Sequence, residues 1–450
     1  MPNILHITPH FGGGVGSVLR GLIDELSRID GFEQEIVTFD FINEQSSEWA
    51  KKRGHRVKSE ISPLSPELHA IVCAADIVHL HFWNHPLTYL FLQSFSGNKA
   101  RVVMWAHCNG AHAPYLFPDA VLTFPQLFVT TSEYSAKTKN IASQPAEWRS
   151  AHLRNVTSRC DTADFLKITP EKHSGVVVGY VGTVDYCKMH RKSLDMLGAV
   201  STPDVCFVVC GGDSHEVIQA EACAKGWGNR FDFRGKVSDV PAVLAELDIF
   251  AYPLTKKHYG TGEQVLVEAM AAGIPQVVLN NGPESYIVRN GVTGIVADGP
   301  EEFTRAIERL AADPKLRREM GENSRRHAAG QCSINKMVDE WNVIYGELLE
   351  YPKKECDFEC SPYGAEMQDD PAVLLFLCSL VDREVQDIFK EAFSFYTRIL
   401  PEICLQKLSS LQDIYFSQGK GSIHQYAQFL DSKKLRYLSK IMLELVDSNP

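Results

Sequence analysis

Glu268 is a carboxylate set in an apolar helix, and that placement demands a reason. It lies in Gly260-Thr261-Gly262-Glu263-Gln264-Val265-Leu266-Val267-Glu268-Ala269-Met270-Ala271-Ala272-Gly273-Ile274-Pro275. Val265, Leu266, Ala269 and Met270 fall on the stripe of a core-facing helix, which Gly273 and Pro275 stop. Glu268 interrupts the stripe, so its carboxylate is expected at a cleft or beside a partner. The amides at the helix start, from Gly262 through Glu263 and Gln264 to Val265, form an anion site suited to phosphate. That combination points to nucleotide handling.

Further polar clusters follow apolar strands. Gly12-Gly13-Gly14 sits between a strand and a helix, where glycines let backbone approach a ligand. It is not the dinucleotide fingerprint, because the sixth position from Gly12 is Ser17. After the strand ending at Val181 come Gly182, Thr183 and a basic cluster, Lys188, His190, Arg191 and Lys192. That cluster either faces an anion or is simply solvated. His79, His81 and His107 end apolar strands, where ligand sites form in parallel sheets. A hydrogen-bonded core histidine is the commoner use of His79 and His81. No carboxylate or cysteine completes a zinc set with them, and no carboxylate pair has glycosidase character.

Val267-Glu268-Ala269-Met270-Ala271-Ala272-Gly273-Ile274-Pro275 resembles the signature of the retaining glycosyltransferases of family 4, which have the GT-B fold. The resemblance implies that Glu268 holds the ribose hydroxyls of a nucleoside-diphosphate sugar of UDP or GDP type. The family's first glutamate, eight positions earlier, is Gly260 here, and Glu263 is three residues out of register. Lys188 falls on the family's diphosphate-binding lysine, while Thr183 replaces its arginine and Arg191 is a candidate to supply the charge. His107 matches the position beside the donor sugar, and Gly13 and Gly14 match the loop near donor and acceptor. Such a site implies hexosyl transfer to an acceptor hydroxyl with retention, the leaving phosphate accepting the proton, and no obligatory metal or cofactor. A degenerate GT-B protein that binds nucleotide or glycan without turnover, and a GT-B phosphorylase or epimerase, stay open as alternatives.

Elements that position these groups alternate strand and helix in two halves, the pattern of parallel α/β sheets. In the first half a strand over residues 3–8, a glycine loop and a helix over 16–29 lead into strands near 35–39, 76–81, 101–106 and 127–131. The second half repeats the plan with strands near 176–181, 206–210, 231–233, 249–251, 276–279 and 294–296. The expected fold is two Rossmann-like doubly wound domains, residues 1–172 and 173–350, facing a central cleft. The second closes with a helix over 334–350, which in the GT-B fold crosses back to the first domain. Residues 351–370 read as a linker, and 371–450 as a helical extension with helices over 372–399, 401–417 and 425–446, suited to self-association, to a partner or to bracing the domains.

At 450 residues the chain accommodates two domains and an addition. Its hydrophobic content of 44% and charged content of 22% are those of a globular protein. A net charge of −11 argues against nucleic acid as a partner. The basic run at residues 51–58 suits an anionic membrane or acceptor, although a solvated helix end explains it as well. With no leader or long apolar stretch, and with scattered cysteines, the chain reads as cytoplasmic. Cys356 and Cys360 form an isolated C-x₃-C without a second pair.

Overall fold

Apolar runs too short for helices alternate with amphipathic stripes, and each half of the chain resolves them into one parallel sheet covered by helices. The computed structural model describes residues 1–29, 31–212, 215–359, 370–411 and 419–447. Contacts divide the chain into unit 1 (Met1–Thr131, Ser135–Val156 and Glu340–Pro450) and unit 2 (Ser132–Tyr134 and Thr157–Asp339).

Unit 1 contains β1 (Asn3–Thr8), β2 (Glu33–Thr38), β3 (Arg56–Lys58), β4 (Ile77–Phe82), β5 (Lys99–Ala100), β6 (Val102–Ala106), β7 (Leu127–Thr130) and β8 (Leu153–Asn155). Seven of these form a sheet in the order β3-β2-β1-β4-β6-β7-β8. Its parallel register sets His6 beside His79, and His81 beside Trp105. The short, polar edge strands β3 and β8 carry no apolar run and so escape periodicity. Residues 51–58 form the end of a helix capped by Gly54 and then β3, with Arg53, Arg56 and Lys58 paired to Asp24, Glu33 and Glu35.

Unit 2 contains β9 (Val176–Val181), β10 (Val205–Cys210), β11 (Phe231–Gly235), β12 (Ile249–Tyr252), β13 (Gln276–Leu279) and β14 (Gly294–Ala297), in the order β11-β10-β9-β12-β13-β14. The predicted helix at Glu268 spans Gln264–Ala271. Gly273, at φ +80°, ends it in a Schellman turn, with the Ile274 amide donating to the Ala269 carbonyl at 3.0 Å. The first helix spans Gly13–Leu26 rather than 16–29, because the glycine loop itself forms its first turn.

The Ile334–Glu350 helix carries the chain from unit 2 into unit 1. The segment expected as a linker is in part anchored. Its β15 (Lys354–Glu355) pairs antiparallel with β5, and Cys356 and Phe358 are buried. Residues 360–369, Cys360 among them, lie outside the described residues. The expected helix 372–399 divides at Asp382, whose side chain accepts from the Glu384 amide and starts a new helix. The expected helix 425–446 divides at Leu430 for want of a helical conformation there. Of the expected helix 401–417, Glu402–Ser409 is helical and residues 412–417 lie outside the described residues. Among the described residues no helix is long and apolar enough to cross a membrane.

Close approach of two loops fixes the active end of the unit 2 sheet. A Cβ on Gly211 would overlap the Gly182 carbonyl oxygen. Gly211→Ala is therefore expected to cost about 3 kcal/mol in urea unfolding. A loss below about 0.5 kcal/mol would contradict the packing.

Candidate active site

Unit 2 gathers charged side chains beyond the carboxyl ends of β9, β12 and β13. Lys188 Nζ donates to Glu263 Oε2 at 3.0 Å and stands 5.5 Å from the Tyr252 ring centroid. The Tyr252 hydroxyl donates to the same carboxylate oxygen at 2.6 Å. Burial opposes both charges, but each outweighs it for the other. Glu263 holds Lys188 above its ordinary pKa, and Lys188, aided by the Tyr252 hydroxyl, holds Glu263 below its own. The result is an ionised, nearly dry pair whose members cannot be removed singly without stranding a charge.

Glu263 reaches this position through an unusual backbone, at φ +21°. It is the N-cap residue of the Gln264–Ala271 helix, yet its side chain makes no cap bond. A Cβ on Gly260 would overlap Glu263 Oε1. The out-of-register carboxylate thus fills the room that a side chain at position 260 would need. His258, absent from any sequence signal, braces the turn. It accepts from the Gly260 amide through Nδ1 at 3.0 Å, which leaves its proton on Nε2, 2.8 Å from Glu284 Oε1. A Cβ on Gly282 would come within 2.6 Å of Glu284 Oε2. Glycines at 260 and 282 are the only outward trace of this arrangement in the sequence.

Glu268 presents the opposite case. It shares the half-buried face of its helix with Gln264 and Val265, while Leu266, Val267, Ala269, Met270 and Ala271 make the core stripe. Val265 is half-buried at the edge of the stripe, packed against the core beside Glu268. No side-chain partner meets the Glu268 carboxylate among the described residues, and burial alone raises its pKa to about 7. Gly182 donates its amide to the Cys210 carbonyl at 3.0 Å. The half-buried Thr183 accepts the Tyr180 hydroxyl on its carbonyl at 2.7 Å. Exposed Arg191 lies over the Tyr186 ring, 5.3 Å from its centroid.

In unit 1, Gly13 and Gly14 are exposed, with open space where a Cβ would stand. His107 ends a buried chain of rings. The Gln34 amide nitrogen donates to the Ile23 carbonyl and Ser27 Oγ, which fixes its oxygen toward His6 Nε2 at 3.1 Å. His6 must then donate from Nε2 and accept on Nδ1, from His81 Nε2 at 3.2 Å. His81 in turn accepts on Nδ1 from His107 Nε2, at 2.9 Å. Proton by proton, the chain leaves His107 Nδ1 as a lone pair. Burial, then the charge of Lys420, lowers His107 to about 3, so the ring is neutral. His79 is tied to the Tyr345 hydroxyl at 2.8 Å and covered by Trp341.

Ring nitrogens of His6, His79 and His81 lie within 4.8 Å of one another, as do ligand atoms of His258, Glu263 and Glu284, and of His10, Asp40 and His85. None is an inviting cation site. A proton already bridges His6 and His81, the ammonium of Lys188 already satisfies Glu263, and the charge of Lys420 reaches both His10 and His85.

Burial of the Glu268 carboxylate gives a pH signature. Folded Glu268 titrates near pH 7 and its unfolded counterpart near 4.5, so over that window the folded protein keeps a proton that the unfolded chain has lost. Stability attributable to this group falls as pH rises from about 4.5 to about 7 and is flat above. Glu268→Gln is expected to be about 1–3 kcal/mol more stable than the parent at pH 8 and equal to it at pH 4. Equal stability at pH 8 would show that the carboxylate is well solvated.

Residues 161–327 match the family model for glycosyl transferases group 1. A putative glycosyltransferase of Bacillus subtilis, YtcC, is 26% identical over 171 residues, 34% of this chain and 40% of that protein. A D-inositol 3-phosphate glycosyltransferase of Salinispora arenicola is 30% identical over 196 residues, 40% of this chain and 42% of that protein. The aligned region thus spans about two fifths of these relatives. Among solved structures, Anabaena HepE in complex with UDP and glucose superposes with a TM-score of 0.62 at 17% identity, covering 77% of this chain and 100% of HepE. A glycosyltransferase from Rickettsia africae does so with a TM-score of 0.62 at 16% identity, covering 78% and 99%. The chain has the GT-B class of fold, two Rossmann-like α/β domains with a helical extension, and over residues 161–327 it is similar to glycosyl transferases group 1.

Proposed function

We propose that this protein is a glycosyltransferase that moves a hexose from a nucleoside-diphosphate sugar, of UDP or GDP type, to an acceptor hydroxyl with retention of configuration. The observation that carries this reading is the pairing of two unlike carboxylates in unit 2. Glu263 is locked in a salt bridge with Lys188, whereas Glu268 stands half-buried with no side-chain partner among the described residues. A ribose diol would give Glu268 the hydrogen bonds it lacks. The ammonium of Lys188, together with the amides at Gln264 and Val265, would stabilise the leaving diphosphate. Preorganised donors of this kind lower a barrier by about 3–4 kcal/mol each. In unit 2, Glu263, in the room vacated at Gly260, would accept from a sugar hydroxyl; in unit 1, the His107 Nδ1 lone pair would accept from a ligand hydroxyl. No side chain is assigned the acceptor's proton, which passes to the leaving phosphate. The UDP and glucose bound by HepE support this donor chemistry.

A second reading, nucleotide or glycan binding without turnover, draws on Thr183 where the resemblance places an arginine, and on the internal pairing of Lys188 with Glu263. Thermal shift with UDP-, GDP-, ADP- and CDP-sugars, followed by NMR of any product, separates the two. A matching donor is expected to raise Tm by about 2–4 °C at saturating concentration, an effect lost in Glu268→Ala. The product should keep the anomeric configuration of the donor. Stabilisation without transfer would favour the binding reading, and stabilisation by none of the donors would overturn both nucleotide readings.

A further inference from the structure

The loops beyond the carboxyl ends of β1, β4 and β6 bring His10, Trp83, His85 and His107 together. Ring centroids of His10 and Trp83 are 4.9 Å apart, and those of Trp83 and His107 6.4 Å. Phe41, 45% exposed, stacks on His10 at 4.9 Å. Burial lowers His10 to about 4 and His85 to about 3, so the rings supply no positive charge near neutrality. The cation at this place comes from the far end of the chain. Lys420 Nζ stands 5.3 Å from the Trp83 ring centroid, and its charge further depresses His10, His85 and His107.

The turn that carries Lys420 is firmly seated on unit 1. Gly421 takes φ +79°, and a Cβ there would come within 2.8 Å of Asn84 Nδ2. The Tyr426 hydroxyl donates to Asn84 Oδ1 at 3.3 Å, and Phe429 packs against His85 with centroids 4.7 Å apart. The extension therefore braces the loop bearing Trp83 and adds to it a charge that the loop lacks. Trp83 Nε1, although buried, has no hydrogen-bond partner among the described residues. Asp40 has a carboxylate oxygen within 4.8 Å of ring nitrogens of His10 and His85. An ammonium for an anion, a carboxylate for hydroxyls and the exposed ring of Phe41 for a sugar face are complementary to one class of ligand.

We propose that Lys420 binds the anionic group, a phosphate ester or a carboxylate, of an acidic sugar acceptor at the strand ends of unit 1. Its role as acceptor rests on the proposed transfer reaction, whereas the anion binding does not. The test is calorimetric titration of the full chain, without nucleotide, with glucose 6-phosphate, glucuronate and glucose. Lys420→Ala and Lys420→Arg are measured alongside, and UDP is titrated in parallel. At least one charged sugar is expected to bind about tenfold or more tightly than glucose. Lys420→Ala should erase that preference and Lys420→Arg retain it to within about threefold. Equal binding of glucose and both charged sugars, an unchanged preference in Lys420→Ala, or no binding of either charged sugar to folded protein would overturn the proposal. Weakened UDP binding in Lys420→Ala with sugar binding unchanged would assign the lysine to the donor diphosphate and overturn it as well. Failure of UDP to bind at all would remove the donor reading and leave the sugar result standing.

Discussion

The Lys188–Glu263 pair is the interaction on which the unit 2 site depends. A buried ammonium and a buried carboxylate, each costly alone, are tolerable only together and only with further hydrogen bonds. Tyr252 supplies one of these at 2.6 Å. To reach the pair, Glu263 adopts φ +21°, and position 260 must be glycine so that the carboxylate has room. His258 then ties the amide of Gly260 to Glu284. One electrostatic requirement thus fixes the backbone at both ends of the loop and the start of the helix that presents Glu268.

The two units solve a common problem by different means. In unit 2, Lys188 and Glu263 compensate each other, and Glu268 meets no side-chain partner among the described residues. In unit 1, neutral rings are ordered by hydrogen bonds that start at Gln34 and end at His107. The first device sits beyond the carboxyl ends of its strands, and the second runs through β2, β1 and β4 to emerge at that end of its sheet at His107, where helix starts and diverging loops leave space for a ligand. The extension adds a third element to this end of unit 1, a lysine over Trp83 whose turn is held by Gly421 and Tyr426 on Asn84 and by Phe429 on His85.

How much of this was legible in the sequence depended on whether the signal was local. Strand β9 at Val176–Val181 and β13 at Gln276–Leu279 follow from uninterrupted apolar runs, and the helix around Glu268 from its stripe and its Gly273 stop. Edge strands β3 and β8 have no such run. Lys188 was visible through a resemblance, but its partner was not, because the pairing with Glu263 spans 75 positions. The same holds for His6 and Gln34, which join His81 only through strand register, and for Lys420, whose place beside Trp83 is set by tertiary packing alone. Gly260 and Gly282 carried the outward hint: a missing side chain marks space that something else must occupy.

A double-mutant cycle on the buried pair tests the account most directly. Lys188→Met, Glu263→Gln and the double variant would be compared with the parent by urea unfolding at pH 7. Each single change is expected to cost about 3–5 kcal/mol, because it strands a buried charge. The double variant should lose about 2–3 kcal/mol less than the sum of the two. Strictly additive losses would mean that the two side chains do not depend on each other, and would contradict the site as described.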